Sequence, residues 1–277
     1  MVASDLDQTL IYSQRSAELP SDSPARLRLV ERDDQGQPLS YLTERAAGLL
    51  AELAAAAVFV PVTTRTVAQY RRVRLPGAAG APAFAVCANG GRLLVDGRPD
   101  PDWDAAVAAR LAAAGAPLAE VADRLSRSVD PDWLLRRRVA EDLFCYLVVD
   151  RAGLPEGWLA ELTAWCADRG WGVSLQGRKV YAVPRALTKS AAVAEVARRV
   201  GGDPAVLAAG DALLDADLLL AADRGWRPGH GELAERGWTG PRVTALTRRG
   251  ALAGEEILAE LLAGARGGVT RAGRGAG

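Results

Sequence analysis

Short apolar runs alternate along the chain with longer segments of helical period, and no other feature limits the fold as strongly. Strands are predicted to end at Ser4 and to run over 58–62 and 205–210, and a helix is predicted over 188–200. Helices that connect such strands cover the two faces of a parallel sheet. The pattern therefore predicts an α/β fold with a parallel sheet flanked by helices.

The middle of the chain has a different pattern. It predicts two hairpins, two or three amphipathic helices and a strand over 143–150, which together form an α+β module. We predict that this module, residues 91–183, interrupts a discontinuous core formed by 1–90 and 184–264. The remaining tail, 265–277, is rich in Gly and Arg and lacks periodicity, so it is expected to be disordered.

Composition excludes several classes of partner. The 34 basic and 34 acidic residues cancel and are scattered, which argues against a nucleic-acid surface or a polybasic membrane patch. No signal peptide and no apolar stretch of about 18 residues is found, so we expect a cytoplasmic protein that binds a small molecule. Cys87, Cys145 and Cys166 are widely spaced in apolar surroundings and are expected to be reduced and buried. The single histidine, His230, cannot build a multi-histidine metal site.

Polar clusters follow the predicted strands or open a predicted helix. In an open α/β sheet the carboxyl ends of the strands meet at one crevice, where ligands bind. We therefore expect residues about 200 positions apart to face one another, although each cluster alone could be a solvated turn or a helix cap. The clusters are Asp5, Asp7 and Thr9; Thr63, Thr64 and Arg65; Lys189; and Asp211 with Asp215.

The chemistry of these clusters is complementary. Four carboxylates in one crevice repel each other, and Mg²⁺ with oxygen ligands is the usual remedy. A cation and Lys189 around one point also form a pocket for a transferring phosphoryl group. One aspartate can then act as the nucleophile, and an acid two residues further on can reach the leaving oxygen.

The sequence lacks the motifs of three other enzyme classes. The segment Thr188-Lys189-Ser190 ends like a P-loop, but no GxxxxG precedes it. The glycines of ANGGRLLVDG, 88–97, do not have the GxGxxG spacing of dinucleotide-binding proteins. The chain has no GxSxG elbow for a serine hydrolase.

The clusters resemble, in order, the four motifs of the haloacid dehalogenase (HAD) superfamily of phosphohydrolases. They read DLDQT (5–9), VTTR (62–65), Lys189 within ALTKS, and GDALLD (210–215). The resemblance implies a Rossmann-like core and places the inserted module where a C2-type cap lies in the Cof-like and sucrose-phosphatase-like branches. The chain departs from the family pattern at Gln8, where glycine is common, and at Thr64, Ala212 and Leu214.

The resemblance also implies roles for individual residues. Asp5 is the expected nucleophile and Asp7 the general acid/base, in a mechanism with an aspartyl-phosphate intermediate. Thr63 is expected to bind phosphoryl oxygens, and Lys189 to steady both the phosphate and the nucleophile. The expected Mg²⁺ ligands are Asp5, Asp7 through its backbone carbonyl, Asp211 and Asp215.

A cap of this type sets substrate choice, so we expect a phosphatase for a small phosphorylated metabolite such as a sugar or polyol phosphate. Two other functions stay open: a phosphomutase on the same core, and a non-catalytic protein that binds a phosphorylated ligand. His230 is either an exposed loop residue or a substrate or pH-tuning contact. Candidates for substrate contact are Thr9, Thr64, Arg65, Asn89, Arg178 and Lys179, although the adjacent pair on the hairpin could be a solvated face.

Overall fold

The first part of the chain alternates strands of a parallel sheet with helices and hairpins. The computed structural model describes residues 1–77 and 82–268. Thr43 caps the first helix, and its side chain accepts a hydrogen bond from the Ala46 N–H. The elements are β1 (Val2–Ser4), β2 (Leu27–Arg32), β3 (Pro38–Thr43), α1 (Glu44–Ala56), β4 (Phe59–Pro61), α2 (Val67–Tyr70), β5 (Phe84–Cys87), β6 (Arg92–Val95) and β7 (Arg98–Pro99).

The inserted segment then forms helices and an antiparallel sheet. Asp100 caps its first helix, with a proline at the first helical position, where the missing N–H costs nothing. The elements are α3 (Pro101–Ala112), α4 (Leu118–Arg127), β8 (Leu134–Ala140), β9 (Phe144–Val149), α5 (Trp158–Ala167), β10 (Trp171–Gln176) and β11 (Lys179–Pro184).

The parallel pattern resumes after β11, as the sequence predicts. The elements are α6 (Lys189–Val200), β12 (Leu207–Ala209), α7 (Ala216–Ala221), β13 (Arg224–Arg227), α8 (Glu232–Glu235), β14 (Val243–Ala245) and α9 (Gly250–Arg266). The last helix extends beyond the expected end of the core at 264, and residues 269–277 of the expected disordered tail lie outside the described residues.

Two sheets organise the structure. The core sheet is parallel, in the order β14-β13-β12-β1-β4, so β1 lies inside the sheet between β12 and β4. The sheet of the inserted segment is antiparallel, in the order β10-β11-β9-β8. The α/β fold with an inserted α+β module is therefore confirmed, whereas the domain boundaries at 90/91 and 183/184 stay predictions.

Apolar side chains cover both faces of the core sheet. On one face Val2 and Leu207 pack with the Leu and Ile residues of α1 and α9, and on the other Ala3 packs with Val193 of α6 and Leu218 of α7. Burying a Val, Leu or Ile side chain contributes roughly 1.5–3 kcal/mol, so these contacts hold the ends of the central strands in place.

Some elements differ from the prediction. The sequence pattern also predicts a helix that includes 69–73, but the structure has a single turn here, α2, which begins with a capping box of Thr66 and Gln69. The strand β8 is absent from the prediction because its sequence, LLRRRVA, carries three consecutive arginines and exposes five of its seven residues.

The cysteines Cys87, Cys145 and Cys166 are free and buried, as expected.

Candidate active site

The predicted polar clusters meet at the carboxyl ends of the central strands. Asp5 follows β1, and its backbone N–H donates to the Ala209 carbonyl at the end of β12 over 2.9 Å. Thr63 follows β4, and its N–H donates to the Val86 carbonyl over 2.8 Å. Residues about 200 positions apart are thus brought together, because parallel neighbours end at the same edge of the sheet.

Lys189 connects the first cluster with the last. It is the first residue of α6, is 1% exposed, and follows the N-cap Thr188. Its Nζ lies 2.6 Å from Asp5 Oδ1 and 2.5 Å from Asp215 Oδ1. A buried ammonium is tolerated only when it is paired, so the two carboxylates and the lysine stabilise one another. These contacts also raise the pKa of Lys189 above its ordinary value against the opposing effect of burial.

Asp215 and Asp211 are held by the loop after β12. Asp215 Oδ2 accepts hydrogen bonds from the N–H groups of Asp211 at 3.0 Å and Ala212 at 2.9 Å. Thr9 Oγ1 donates to Asp211 Oδ1 over 3.2 Å. Gly231 has a φ of 84°, and a Cβ there would lie 2.5 Å from Asp211 Oδ2. A side chain at this position would therefore displace the Asp211 carboxylate.

The carboxylates of Asp5, Asp211 and Asp215 form a site that fits a divalent cation. One oxygen of each lies within 4.8 Å of the others, and each residue is at most 5% exposed. Burial raises the pKa of Asp5 to about 7 although Lys189 opposes the rise, and burial with neighbouring carboxylates raises the pKa of Asp211. Desolvated carboxylates this close together repel each other, and a cation between them would offset the repulsion. Carboxylate oxygens are hard ligands, so the donor set suits Mg²⁺.

The Asp7 carboxylate is not part of this triad and pairs with Arg65. Arg65 Nε lies 2.7 Å from Asp7 Oδ2, and Nη2 lies 2.8 Å from Oδ1. Burial alone would raise the pKa of Asp7, but the charge and hydrogen bonds of Arg65 lower it to about 2. In this arrangement Asp7 is ionised and has no proton to give.

Arg65 is itself anchored by Glu31 of β2. Arg65 Nη1 lies 2.7 Å from Glu31 Oε1, and Ser40 Oγ of β3 donates to Glu31 Oε2 over 2.6 Å. The Glu31 side chain is fully buried and also lies 3.4 Å from Arg72 Nη2. The β2–β3 hairpin therefore fixes Arg65, and through Arg65 it fixes Asp7.

Sequence reasoning missed Glu31 for a physical reason. A register shift between β2 and β3 at Leu29/Glu31 buries both Val30 and Glu31, which follow one another in the chain. Regular alternation would direct one of two consecutive side chains to solvent. No signal in the sequence marks this irregularity.

The remaining candidates for phosphate or substrate contact lie at different depths. Thr63 is fully buried, and its Oγ1 accepts the Arg65 N–H over 3.1 Å. Thr64 Oγ1 lies 3.5 Å from the hydroxyl of Tyr181 on β11. Asn89 is 1% exposed, and its Nδ2 donates to the Leu187 carbonyl over 2.9 Å, which ties the loop after β5 to the segment before α6. A substrate contact at Asn89 stays a prediction.

The hairpin pair splits into an exposed and a half-buried residue. Arg178 is exposed at the turn between β10 and β11. Lys179 is half-buried, and its Nζ lies 5.9 Å from the centre of the Tyr146 ring. Nearby Tyr181 and Asp7 raise the pKa of Lys179. The interpretation of this pair as a uniformly solvated face is wrong for Lys179.

His230 is 5% exposed, so the interpretation as an exposed loop residue is wrong. Its Nδ1 accepts the Gly250 N–H over 3.2 Å, so the ring proton lies on Nε2, which is 2.7 Å from the Gln8 carbonyl. Gln8 has a φ of 59°, a conformation that costs a residue with a side chain roughly 1–2 kcal/mol. His230 thus supports the strained turn between Asp7 and Thr9, and burial lowers its pKa.

Glu232 of α8 joins the core to the inserted segment, and no motif predicts it. Its Oε2 accepts from Ser174 Oγ of β10 at 2.5 Å and from the Leu213 N–H of the core loop at 3.1 Å. Its Oε1 accepts the Leu175 N–H at 3.1 Å. The carboxylate is 4% exposed, so it holds β10 against the loop that carries Asp211.

No family model and no curated protein matches the chain. Within residues 1–77 and 82–268, no helix is long and apolar enough to cross a membrane.

Solved structures do resemble it. A sucrose-phosphatase from Synechocystis, in complex with sucrose and phosphate, is similar with a TM-score of 0.63 and 14% identity, covering 94% of this chain and 96% of that chain. A HAD subclass IIB sugar phosphatase has a TM-score of 0.55 and 13% identity over 97% and 99% of the two chains. A trehalose-6-phosphate phosphatase related protein has a TM-score of 0.52 and 15% identity over 94% and 96%. The chain therefore has the fold of the HAD superfamily, a Rossmann-like core that carries a C2-type cap.

Proposed function

We propose that this protein is a Mg²⁺-dependent phosphatase that hydrolyses a small phosphorylated metabolite, such as a sugar or polyol phosphate. The observation that carries the proposal is the buried contact of Lys189 Nζ with Asp5 and Asp215, beside the triad of carboxylates. The similar solved structures include a sucrose-phosphatase and a sugar phosphatase, which supports a sugar phosphate as the substrate class here.

In the first step Asp5 attacks the phosphorus atom of the substrate. A bond forms between an Asp5 carboxylate oxygen and phosphorus, the bond from phosphorus to the ester oxygen breaks, and the leaving alcohol takes a proton from Asp7. Lys189 orients Asp5 and offsets negative charge on the phosphoryl oxygens. In the second step water attacks phosphorus and gives a proton to Asp7, the bond between phosphorus and the Asp5 oxygen breaks, and inorganic phosphate leaves the regenerated Asp5 carboxylate.

Asp7 must change its partner during this cycle. While Arg65 holds both of its oxygens, its pKa is about 2 and it cannot donate a proton near neutral pH. The proton transfers therefore require the Asp7 side chain to separate from Arg65. The side chain of Asp7 is 37% exposed, so it has room to turn toward the substrate.

Asp5, Asp211 and Asp215 would hold Mg²⁺, with the Asp7 backbone carbonyl as a further ligand. Bound there, Mg²⁺ supplies Lewis-acid stabilisation of negative charge on the phosphoryl group. Thr63 would bind a phosphoryl oxygen; it is the second residue after β4, whose neighbour β1 is followed by Asp5.

The test is release of inorganic phosphate from p-nitrophenyl phosphate and a panel of sugar phosphates. We expect hydrolysis in Mg²⁺ that EDTA abolishes and that Asp5→Asn reduces to background. Asp217→Asn is the control, because Asp217 accepts the Ser190 N–H and lies outside the triad. Full activity in purified Asp5→Asn protein would rule out the mechanism, and transfer of phosphate to a second position of the substrate would indicate a mutase.

A further inference from the structure

The antiparallel sheet of the inserted segment, β10-β11-β9-β8, is called the cap sheet. One of its faces carries aromatic and cationic side chains that lie next to one another across the strands. Tyr181 of β11 is paired with Tyr146 of β9, and Tyr146 is paired with Arg138 of β8. Residues directly opposite each other on antiparallel strands project to the same face, so these three side chains form a row. The two tyrosine rings lie 5.4 Å apart between centres.

A second row runs beside the first. Lys179 is paired with Val148, and Val148 is paired with Arg136. Lys179 Nζ lies 5.9 Å from the Tyr146 ring, which connects the rows. We call this surface the inner cap face; it consists of Arg136, Arg138, Tyr146, Lys179 and Tyr181.

The inner cap face lies against the loops of the candidate active site. Tyr181 reaches Thr64 over 3.5 Å, and a Cβ on Gly177 would lie 4.0 Å from the Gln8 side chain. Neighbouring strands are about 4.8 Å apart, which places β8 roughly 10 Å from β11. The cations of β8 therefore lie within the length of a small metabolite from the tyrosines that border the site.

These cations have no acidic partner within 4 Å in the part of the chain that the structure describes. The contact found for Arg138 is with the carbonyl of the neighbouring Arg137, at 3.2 Å. By contrast, Arg137 points to the other face of the strand, where it bonds to Ser126 of α4. Guanidinium groups bind carboxylates and phosphates in a fixed planar geometry, whereas a neutral sugar offers them only hydroxyl groups.

We propose that the substrate carries a second anionic group, a carboxylate or another phosphate, which binds Arg136 and Arg138 while Tyr146 and Tyr181 cover its carbon skeleton. This inference rests on the proposed function, since the first phosphate is the one cleaved at Asp5. It narrows the substrate class from phosphorylated metabolites to those that bear two separated negative groups.

Calorimetric titration of the Asp5→Asn protein in Mg²⁺ tests the inference without turnover. The ligands form two matched pairs: glucose 6-phosphate with 6-phosphogluconate, and fructose 6-phosphate with fructose 1,6-bisphosphate. We expect at least one ligand with two anionic groups to bind tenfold or more tightly than its partner, and the pair that responds identifies the second group as a carboxylate or a phosphate. In the Arg136→Gln/Arg138→Gln double variant the ratio falls to within twofold.

Arg137→Gln is the matched control, because it removes one positive charge from the same strand on the other face. The ratio should persist in this variant. Ratios within twofold in both pairs, no binding of either ligand with two anionic groups, or an equal loss of preference in Arg137→Gln would each overturn the inference. Hydrolysis of p-nitrophenyl phosphate by the unaltered protein is measured separately. If the protein hydrolyses p-nitrophenyl phosphate but does not prefer ligands with two anionic groups, only the inference of a second anionic group is contradicted. If it shows the preference but no hydrolysis, only the proposed phosphatase function is contradicted.

Discussion

Arg65 holds both carboxylate oxygens of Asp7, with Nε 2.7 Å from Oδ2 and Nη2 2.8 Å from Oδ1. This pair is the main electrostatic control on the acid that would transfer protons, because it keeps that acid ionised. Arg65 is in turn held by the buried Glu31 of β2. The β2–β3 hairpin therefore helps to fix the position of Asp7 through two successive ion pairs.

Arg65→Lys should raise the pKa of Asp7 above its value of about 2. Lysine keeps the charge but loses the planar, two-point contact, so it opposes the rise in the Asp7 pKa caused by burial less completely than arginine does. Titration of the Asp7 carboxyl group followed by carbon-detected NMR measures the change. Arg72→Lys is the control, since Arg72 contacts Glu31 but is not bonded to Asp7. An unchanged Asp7 titration in Arg65→Lys would contradict this account of the low pKa.

Mg²⁺ should raise the melting temperature of the protein, because it binds the folded carboxylate triad and not the unfolded chain. At a concentration 100 times the Kd, the gain is about 2.7 kcal/mol, or roughly 5–10 °C. Differential scanning calorimetry with and without Mg²⁺ measures it. Asp211→Asn should remove the shift and Asp217→Asn should retain it; an equal shift in both variants would place the ion elsewhere.

Glu232→Gln should loosen the cap hairpin from the core. Glutamine has one side-chain acceptor oxygen, whereas Glu232 uses both of its oxygens to accept from Ser174, Leu175 and Leu213. Each donor left unsatisfied costs about 1–3 kcal/mol. Hydrogen exchange at the Leu175 amide should therefore become faster. Glu235→Gln on the exposed side of the same helix should leave this exchange unchanged, and equal rates in all three proteins would contradict the role of Glu232.

His230→Gln should remove a contribution to folding stability that is lost as the pH falls. Burial lowers the pKa of His230 from 6.5, so below about pH 6.5 the unfolded chain binds more protons than the folded chain. The contribution of His230 to the free energy of unfolding therefore falls as the pH drops through this range, by about 1.4 kcal/mol for each unit of pKa difference, whereas the raised pKa of Asp5 contributes with the opposite sign. Urea unfolding at pH 7.5 and 5.5 measures the slope. Glutamine can still donate to the Gln8 carbonyl but does not titrate. The chain has one histidine, so a pH dependence identical to that of the unaltered protein would contradict the assignment to His230.

Sequence alone predicted the parallel core, the presence of an inserted segment, and the acids and lysine that meet at Asp5. These follow from local rules: apolar runs form strands, polar residues after them lie at one edge, and Thr43 and Thr188 cap helices through their own side chains.

Tertiary structure alone decided the partners of those residues. Glu31 reaches Arg65 because of an irregularity in the hairpin, and Glu232 joins α8 to β10 across 57 residues of chain. The arginines of β8 share a face with Tyr146 and Tyr181 only through strand register. Such contacts depend on pairing between distant segments, and a one-residue change of register would direct each side chain to the opposite face, so no local pattern encodes them.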